Sequence, residues 1–324
     1  MSYPVGWAAQ LDSSLSQYIR HVIAIMKSNS MKKLTIIDGG MGRELKEIGA
    51  PFSQPLWSAQ ALIEAPEYVE KAHQNFIDAG AEVLIVNSYA CVPFHLGEQR
   101  FQCEGATLAQ KAGSIARSVA PKNVRVAGSL PPPLGSYRPD LFEAKRAHDI
   151  TRLLYEAQDP YVDLWIAETI SSIKEFEAIH SVLKQSKKDC YYAFSLSDEV
   201  SDVALLRSGQ AVKIAAALVC FVGAKGILFN CSVPEVMEQA ILDARKVIND
   251  YQAQVEIGAY ANNFTPINTD HEANNTYQGM RELSPDDYLM FAKRWYKAGA
   301  SVIGGCCGIG PSHIEALTDW KKTL

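Results

Sequence analysis

Gly226-Ile227-Leu228-Phe229-Asn230-Cys231-Ser232 is a short apolar run that stops abruptly at polar residues. It is too short for a buried helix and is flanked by longer stretches with helical spacing of apolar residues, so it reads as one strand of a buried parallel sheet. Seven further runs have the same character: Leu34–Asp38, Glu82–Asn87, Val124–Gly128, Val162–Glu168, Cys190–Ser195, Val255–Tyr260 and Ser301–Gly304. Between them lie helical patterns. Pro66 to Ala79 places Val69, Ala72, Phe76 and Ile77 on one face before Gly80, and Tyr288 to Ala298 does the same before Gly299. Eight strand–helix units over roughly 290 residues predict an α/β fold, a closed single-domain (β/α)8 TIM barrel, whose usual size is about 250 residues.

The composition suits this. A chain of 324 residues with 48% hydrophobic and 21% charged content can bury a large core. A net charge of -5 offers no basic stripe to a phosphate backbone, so nucleic acid is not an expected partner and a small molecule is. The apolar runs all fall short of the roughly 18 residues that span a bilayer, so no membrane partner is expected either. Seven cysteines, an odd number without framework spacing, predict reduced thiols and a cytoplasmic location.

Residues 1–30 share no pattern with the remainder of the chain and do not read as a secretory signal. Two readings stand. Met31-Lys32-Lys33 leads straight into the first strand as a natural start would, making 1–30 an upstream extension that is not native; alternatively a short amphipathic helix from about Ala8 to Met26 caps one end of the domain. The barrel then occupies 31–324. The long polar stretch Asn262 to Glu282 comes after the seventh strand and is expected to be a surface loop or lid.

The distinctive polar residues fall at the C-terminal ends of these strands: Asp38, Asn87, Ser88, Glu168, Cys231, Cys306 and Cys307. Barrel enzymes build their sites on that face. Cys306 and Cys307 lie between glycines in Gly304-Gly305-Cys306-Cys307-Gly308, where a mutual disulfide would need a strained ring but both thiolates can face one metal ion. Any one cysteine alone reads as a small buried hydrophobe. With Cys231 at another strand end, three sulfurs make a catalytic zinc site with one position open, whereas a structural zinc would want a fourth protein ligand. Cys190 and Cys220 are expected in the core, and Cys91 lies near enough to the mouth to stay open as a candidate.

Zinc with three thiolates suits a substrate thiol as fourth ligand and would deprotonate it, which implies alkyl transfer to sulfur with no protein acid or base beyond the zinc-activated substrate thiolate. Asp38 sits in Ile36-Ile37-Asp38-Gly39-Gly40-Met41-Gly42, where glycines permit close backbone approach and offer N–H groups to a carboxylate. Asp38 and Glu168 could hold an ammonium group, so an amino-acid substrate satisfies both demands. Taken singly, Asp38 also fits a turn or helix cap and Glu168 a strand-end ion pair. His95 and His313 read as surface or helix-terminal residues and His271 as solvated; none is assigned to the metal.

In the segments Asp38-Gly-Gly-Met-Gly, Pro55-Leu-Trp-Ser-Ala, Ala79-Gly-Ala, Asn87-Ser-Tyr, Glu168-Thr169, Asn230-Cys231-Ser232 and Gly304-Gly-Cys-Cys-Gly, the chain resembles the zinc-dependent homocysteine S-methyltransferases, over about residues 34 to 318. The resemblance implies zinc bound by Cys231, Cys306 and Cys307, with homocysteine sulfur completing the tetrahedron. It also implies Asp38 and Glu168 at the homocysteine amino group, the Gly39–Gly40 backbone and Ser88 near its carboxylate, and Asn87 and Tyr89 in the neighbouring loop. The product would be methionine, placing the chain in methionine biosynthesis. Folate-using members carry additional modules and betaine-using members a longer C-terminal arm, so a sulfonium donor, S-methylmethionine or S-adenosylmethionine, is expected here.

Three departures bear on the pocket. Arg43 stands where the family usually has threonine or serine, Leu130-Pro-Pro-Pro-Leu-Gly replaces a Gly-Pro-Tyr-like connection, and Tyr260-Ala-Asn-Asn-Phe replaces a Tyr-Pro-Asn pattern. They leave open a different thiol or selenol acceptor, and Arg43 leaves open a zinc-loaded thiol-binding protein without turnover; betaine stands as an alternative donor.

Overall fold

The computed structural model describes residues 33–267 and 279–324, of which Leu34–Leu324 belong to one compact unit. The expected helix at 8–26 and His271 lie outside the described residues. All eight expected strands form: β1 Thr35–Ile36, β2 Val83–Ile85, β3 Arg125–Leu130, β4 Leu164–Ile170, β5 Asp189–Phe194, β6 Gly226–Asn230, β7 Glu256–Tyr260 and β8 Val302–Ile303. They pair in parallel in the order β1-β8-β7-β6-β5-β4-β3-β2. The sheet closes through an Ile37–Val83 bridge, with Asp38 N donating to Val83 O at 3.0 Å and Glu82 N to Ile36 O at 2.8 Å. The result is a (β/α)8 barrel.

The helices outside it include α1 Met41–Glu47, α2 Ser58–Glu64, α3 Pro66–Asp78, α4 Pro93–Leu96, α5 Glu98–Val119 and α6 Ala144–Gln158, then α7 Ile173–Leu183, α8 Val212–Phe221, α9 Pro234–Asp250, α10 Pro285–Ala298 and α11 Pro311–Lys321. Local chemistry sets their ends. In α10, Ser284 Oγ accepts from Asp287 N at 3.1 Å, Pro285 takes the first helical position, and Gly299 leaves the helix at φ 126°.

Alternation along the strands separates two apolar layers. Leu164, Ile166, Tyr191, Ala193, Leu228, Ala127 and Tyr260 fill the barrel interior, while Trp165, Ala167, Tyr192, Phe194, Ile227 and Phe229 pack outward among the helices. The same parity places Ser129 on β3, Glu168 on β4 and Asn230 on β6 inward, at the C-terminal end of the interior.

Candidate active site

The last turn of β6 and the loop after β8 bring three thiols together: the sulfurs of Cys231, Cys306 and Cys307 all lie within 4.8 Å of one another. Three ligands at 2.3 Å on a tetrahedral ion would be about 3.8 Å apart, so small side-chain movements suffice to bind one. A set made only of sulfur suits a soft or borderline cation. Cys231 and Cys306 are joined as a disulfide, their Cα atoms 5.7 Å apart. The ends of β6 and β8, with β7 between them, bring these two sulfurs together across 75 residues of sequence. Cys307 stays a thiol, pushed up to about 11 by burial and further disfavoured as a thiolate by the charge of Glu168.

The cysteine loop rests on the first strand's turn. Gly40 N donates to Ile309 O at 2.8 Å and Gly305 N to Asp38 O at 3.0 Å. A Cβ on Gly40 would run into the Cys306 carbonyl and crowd the Cys307 backbone. Glycine is therefore required at 40 for packing against the thiol loop, and its amide is committed inside the protein instead of being offered to a substrate carboxylate.

Two carboxyls share this mouth. Asp38 is 2% exposed; its Oδ2 accepts from Ile85 N at 2.8 Å, and its Oδ1 is buried without a partner. Burial, with the charge of Glu168 added, holds its ionisation well above the usual carboxylate range. Glu168 accepts from Ser129 Oγ at 2.6 Å and from Tyr260 Oη at 3.3 Å, yet burial still pushes it up to about 7. Asn87 donates to Ser58 O at 3.3 Å and leaves its Oδ1 buried and unpaired. Buried acceptors without donors cost free energy until a ligand supplies the hydrogen, and an ammonium group supplies three.

Other expected residues take different places. Ser88 is fully buried, its hydroxyl 3.1 Å from Ser129 O and 3.0 Å from Gln158 Oε1, so it serves the frame behind the pocket. Arg43, on α1 just after the Gly39–Gly40 turn, is half-buried and lies 3.5 Å from exposed Glu47. His95 is helix-terminal as expected, in the last turn of α4, but buried: its Nδ1 is 3.2 Å from Pro55 O, and Trp57, Phe94 and Tyr89 surround its ring. His313 is helix-terminal as expected, accepting from Gly310 N at 3.3 Å with Nε2 2.8 Å from Leu283 O. Cys190 and Cys220 are half-buried, and buried Cys91 stands outside the thiol cluster, its own thiol pushed up to about 12.

Sequence patterns alone assign no role to Tyr260, Ser129, Gln158 or the Asn230 side chain. Tyr260 ends the seventh apolar run and faces inward by parity, a signal that strand alternation carries. Asn230 Oδ1 accepts from Thr169 N and its Nδ2 donates to Thr169 Oγ1, both at 2.9 Å. Tyr89 lies 2.7 Å from Ser136 Oγ, and burial pushes its phenol, like that of Tyr137, well above the usual range.

A closed barrel with a three-sulfur cluster and two buried carboxyls at its C-terminal mouth defines a thiol-handling (β/α)8 protein. The sequence model described as Homocysteine S-methyltransferase matches residues 35–320, and the chain belongs to that enzyme family. It is 27% identical to homocysteine S-methyltransferase 1 of Zea mays, covering 89% of this chain and 94% of that protein. It is 26% identical to the selenocysteine Se-methyltransferase of Brassica oleracea var. italica, covering 89% and 91%. Among solved structures it is similar to the homocysteine methyltransferase MmuM from Escherichia coli. The metallated form superposes with TM-score 0.73 at 24% identity, covering 89% of this chain and 96% of that one. The oxidized form gives 0.72 at 23%, with the same coverage.

Proposed function

We propose that this chain transfers a methyl group from a sulfonium donor, S-methylmethionine or S-adenosylmethionine, to the thiol of homocysteine, giving methionine. The observation that carries this reading is the convergence of Cys231, Cys306 and Cys307 within 4.8 Å, on the barrel face that also holds Asp38 and Glu168. The all-sulfur donor set fits zinc, which Cys231, Cys306 and Cys307 would hold with the Cys231–Cys306 pair reduced. When bound, zinc supplies a fourth coordination position for the substrate sulfur and lowers the pKa of its thiol.

The remaining work falls to the chain itself. Asp38 Oδ1, buried and unpaired, and Glu168, held by Ser129 and Tyr260, receive the homocysteine ammonium group. Asn87 Oδ1 adds a third acceptor. Burial of these groups keeps water from competing for the methyl carbon and fixes the amino-acid end so that the sulfur meets the donor in line. A new S–C bond forms as the donor's C–S bond breaks, and the donor leaves as a neutral thioether, so no residue has to protonate it. The need for three thiolates places the protein in a reducing compartment such as the cytoplasm. Among the described residues no helix is long and apolar enough to cross a membrane.

The test is a panel of donors incubated with reduced, zinc-loaded protein and homocysteine, with methionine measured. Turnover with a sulfonium donor is expected. Stoichiometric zinc and homocysteine binding without methionine from any donor, betaine included, would overturn methyl transfer and leave a thiol-binding protein.

A further inference from the structure

Glu168 is the inward carboxyl of β4, and what fixes it reaches back to the outer layer of the barrel. β2 ends at Ile85 and its ladder to β3 ends as Val86 N donates to Ala127 O at 2.9 Å, so the next inward residue of β3, Ser129, faces no β2 partner. The side chain of Gln158, at the end of α6 and fully buried, takes that partner's place. Its Oε1 accepts from Ser129 N at 3.1 Å and its Nε2 donates to Ser129 O at 3.0 Å, as a peptide group of a neighbouring strand would. The remaining capacity of the amide is used as well, Nε2 reaching Leu154 O at 3.0 Å and Oε1 lying 3.0 Å from Ser88 Oγ. With its backbone N–H and C=O both held, Ser129 points Oγ at Glu168 Oε1, 2.6 Å away.

We propose that Ser129 and Gln158 are positioning residues for substrate binding: Gln158 fixes the Ser129 backbone, and the Ser129 hydroxyl fixes the carboxyl of Glu168 toward the amino group of homocysteine. The proposal rests on the reading of Glu168 as an ammonium-binding residue. Gln158 does not touch substrate; it acts through Ser129, and Ser129 acts through Glu168.

Steady-state kinetics of the reduced, zinc-loaded protein test it. Ser129→Ala removes a hydrogen bond to a charged group and is expected to raise KM for homocysteine about tenfold, with kcat at saturating homocysteine within about twofold of the parent and zinc content unchanged. Ser129→Thr, which keeps the hydroxyl, is expected to restore KM. Gln158→Met, of similar volume, is expected to raise KM in the parent but to have no further effect in a Ser129→Ala background. If Gln158→Met does not fold, Gln158→Glu, which loses the donor to Ser129 O, takes its place with the same expectation. An unchanged KM in Ser129→Ala, or an equal effect of the Gln158 change in both backgrounds, would overturn the proposal. Glu168→Gln separates the two levels: if it leaves homocysteine binding intact, the reading of Glu168 fails, whereas if it weakens binding and Ser129→Ala does not, only the positioning claim fails.

Discussion

Homocysteine binding should expel a proton from Glu168, and the number expelled is set by its surroundings. Burial holds this carboxyl at about 7, so in the substrate-free protein about 0.9 of it is protonated at pH 6 and about 0.03 at pH 8.5. An ammonium group seated against it favours the ionised form, so binding at pH 6 must release that fraction. The sign is that of an acid whose free-protein ionisation is raised: affinity is full above about pH 8 and falls about tenfold by pH 6. The homocysteine thiol also loses a proton, but it does so equally in a variant lacking the carboxyl. Calorimetric titration of zinc-loaded protein in buffers of different ionisation enthalpy counts the protons. The parent should release about 0.9 more than Glu168→Gln at pH 6, and the two should agree at pH 8.5. Because the charge of Glu168 adds to burial in raising Asp38, the difference between parent and Glu168→Gln includes any change at Asp38. Equal proton counts at pH 6 would refute the assignment of Glu168 to the ammonium group.

Cys306→Ser should abolish stoichiometric zinc and activity together, read by elemental analysis and methionine formation; full zinc content in the variant would remove Cys306 from the ligand set. Oxidation that closes the Cys231–Cys306 pair should release zinc into a chromogenic chelator, because the same two sulfurs cannot serve both bonds; retention of metal in the oxidised protein would count against a three-sulfur site. Gly40→Ala should push the Cys306 carbonyl away and lower zinc affinity at least tenfold in a competition assay, while thermal stability falls by about 1–3 kcal/mol. His73, fully buried with neither ring nitrogen paired, is held down at about 4 by burial, so the fold keeps it neutral while the unfolded chain binds a proton below about 6.5. Stability is therefore lost as pH falls, by about 2 kcal/mol between pH 8 and pH 5. Glu168 and Glu175, raised to about 7, act in the opposite sense. The readout is consequently the urea-unfolding difference between parent and His73→Leu, which should shift by about 2 kcal/mol across that range and would be flat if His73 were solvated.

Strand number and order were legible because a parallel barrel buries both faces of every strand, and runs such as Leu228-Phe229 next to Asn230 leave no other economical reading. The thiol cluster was legible because sulfur is rare and its glycine setting is specific. What stayed hidden depends on contacts between elements. Gly39-Gly40 looked like a cradle for an anion, yet Gly40 is small because Cys306 and Ile309 press against it. Ser88 looked free to meet a carboxylate, but the Gln158 amide lies 70 residues away in sequence and 3.0 Å away in space. Arg43 looked like a free cation, and its ion pair with Glu47 was legible in the sequence from their helical i,i+4 spacing.

Strict strand alternation would also have misplaced Cys231. Asn230 points into the barrel, so the next residue on a regular strand would point outward among the helices. Cys231 instead adopts φ 48°, a left-handed turn unusual for a residue with a side chain, and this lets two successive polar residues serve the same mouth. Thr169 does likewise at φ 56°, directly after Glu168, which is costlier still for a β-branched residue. Each such conformation costs about 1–3 kcal/mol and persists only where its surroundings over-determine it. Here the two are tied together: the Asn230 amide spans the gap between β4 and β6 and grips Thr169 by both its N–H and its hydroxyl. Two buried hydrogen bonds contribute about 1–3 kcal/mol, comparable to the strain at Thr169. The kinks just after Glu168 on β4 and Asn230 on β6 are thus held by one side chain, so Glu168 and Cys231 are set relative to each other by the barrel wall and not by flexible loops.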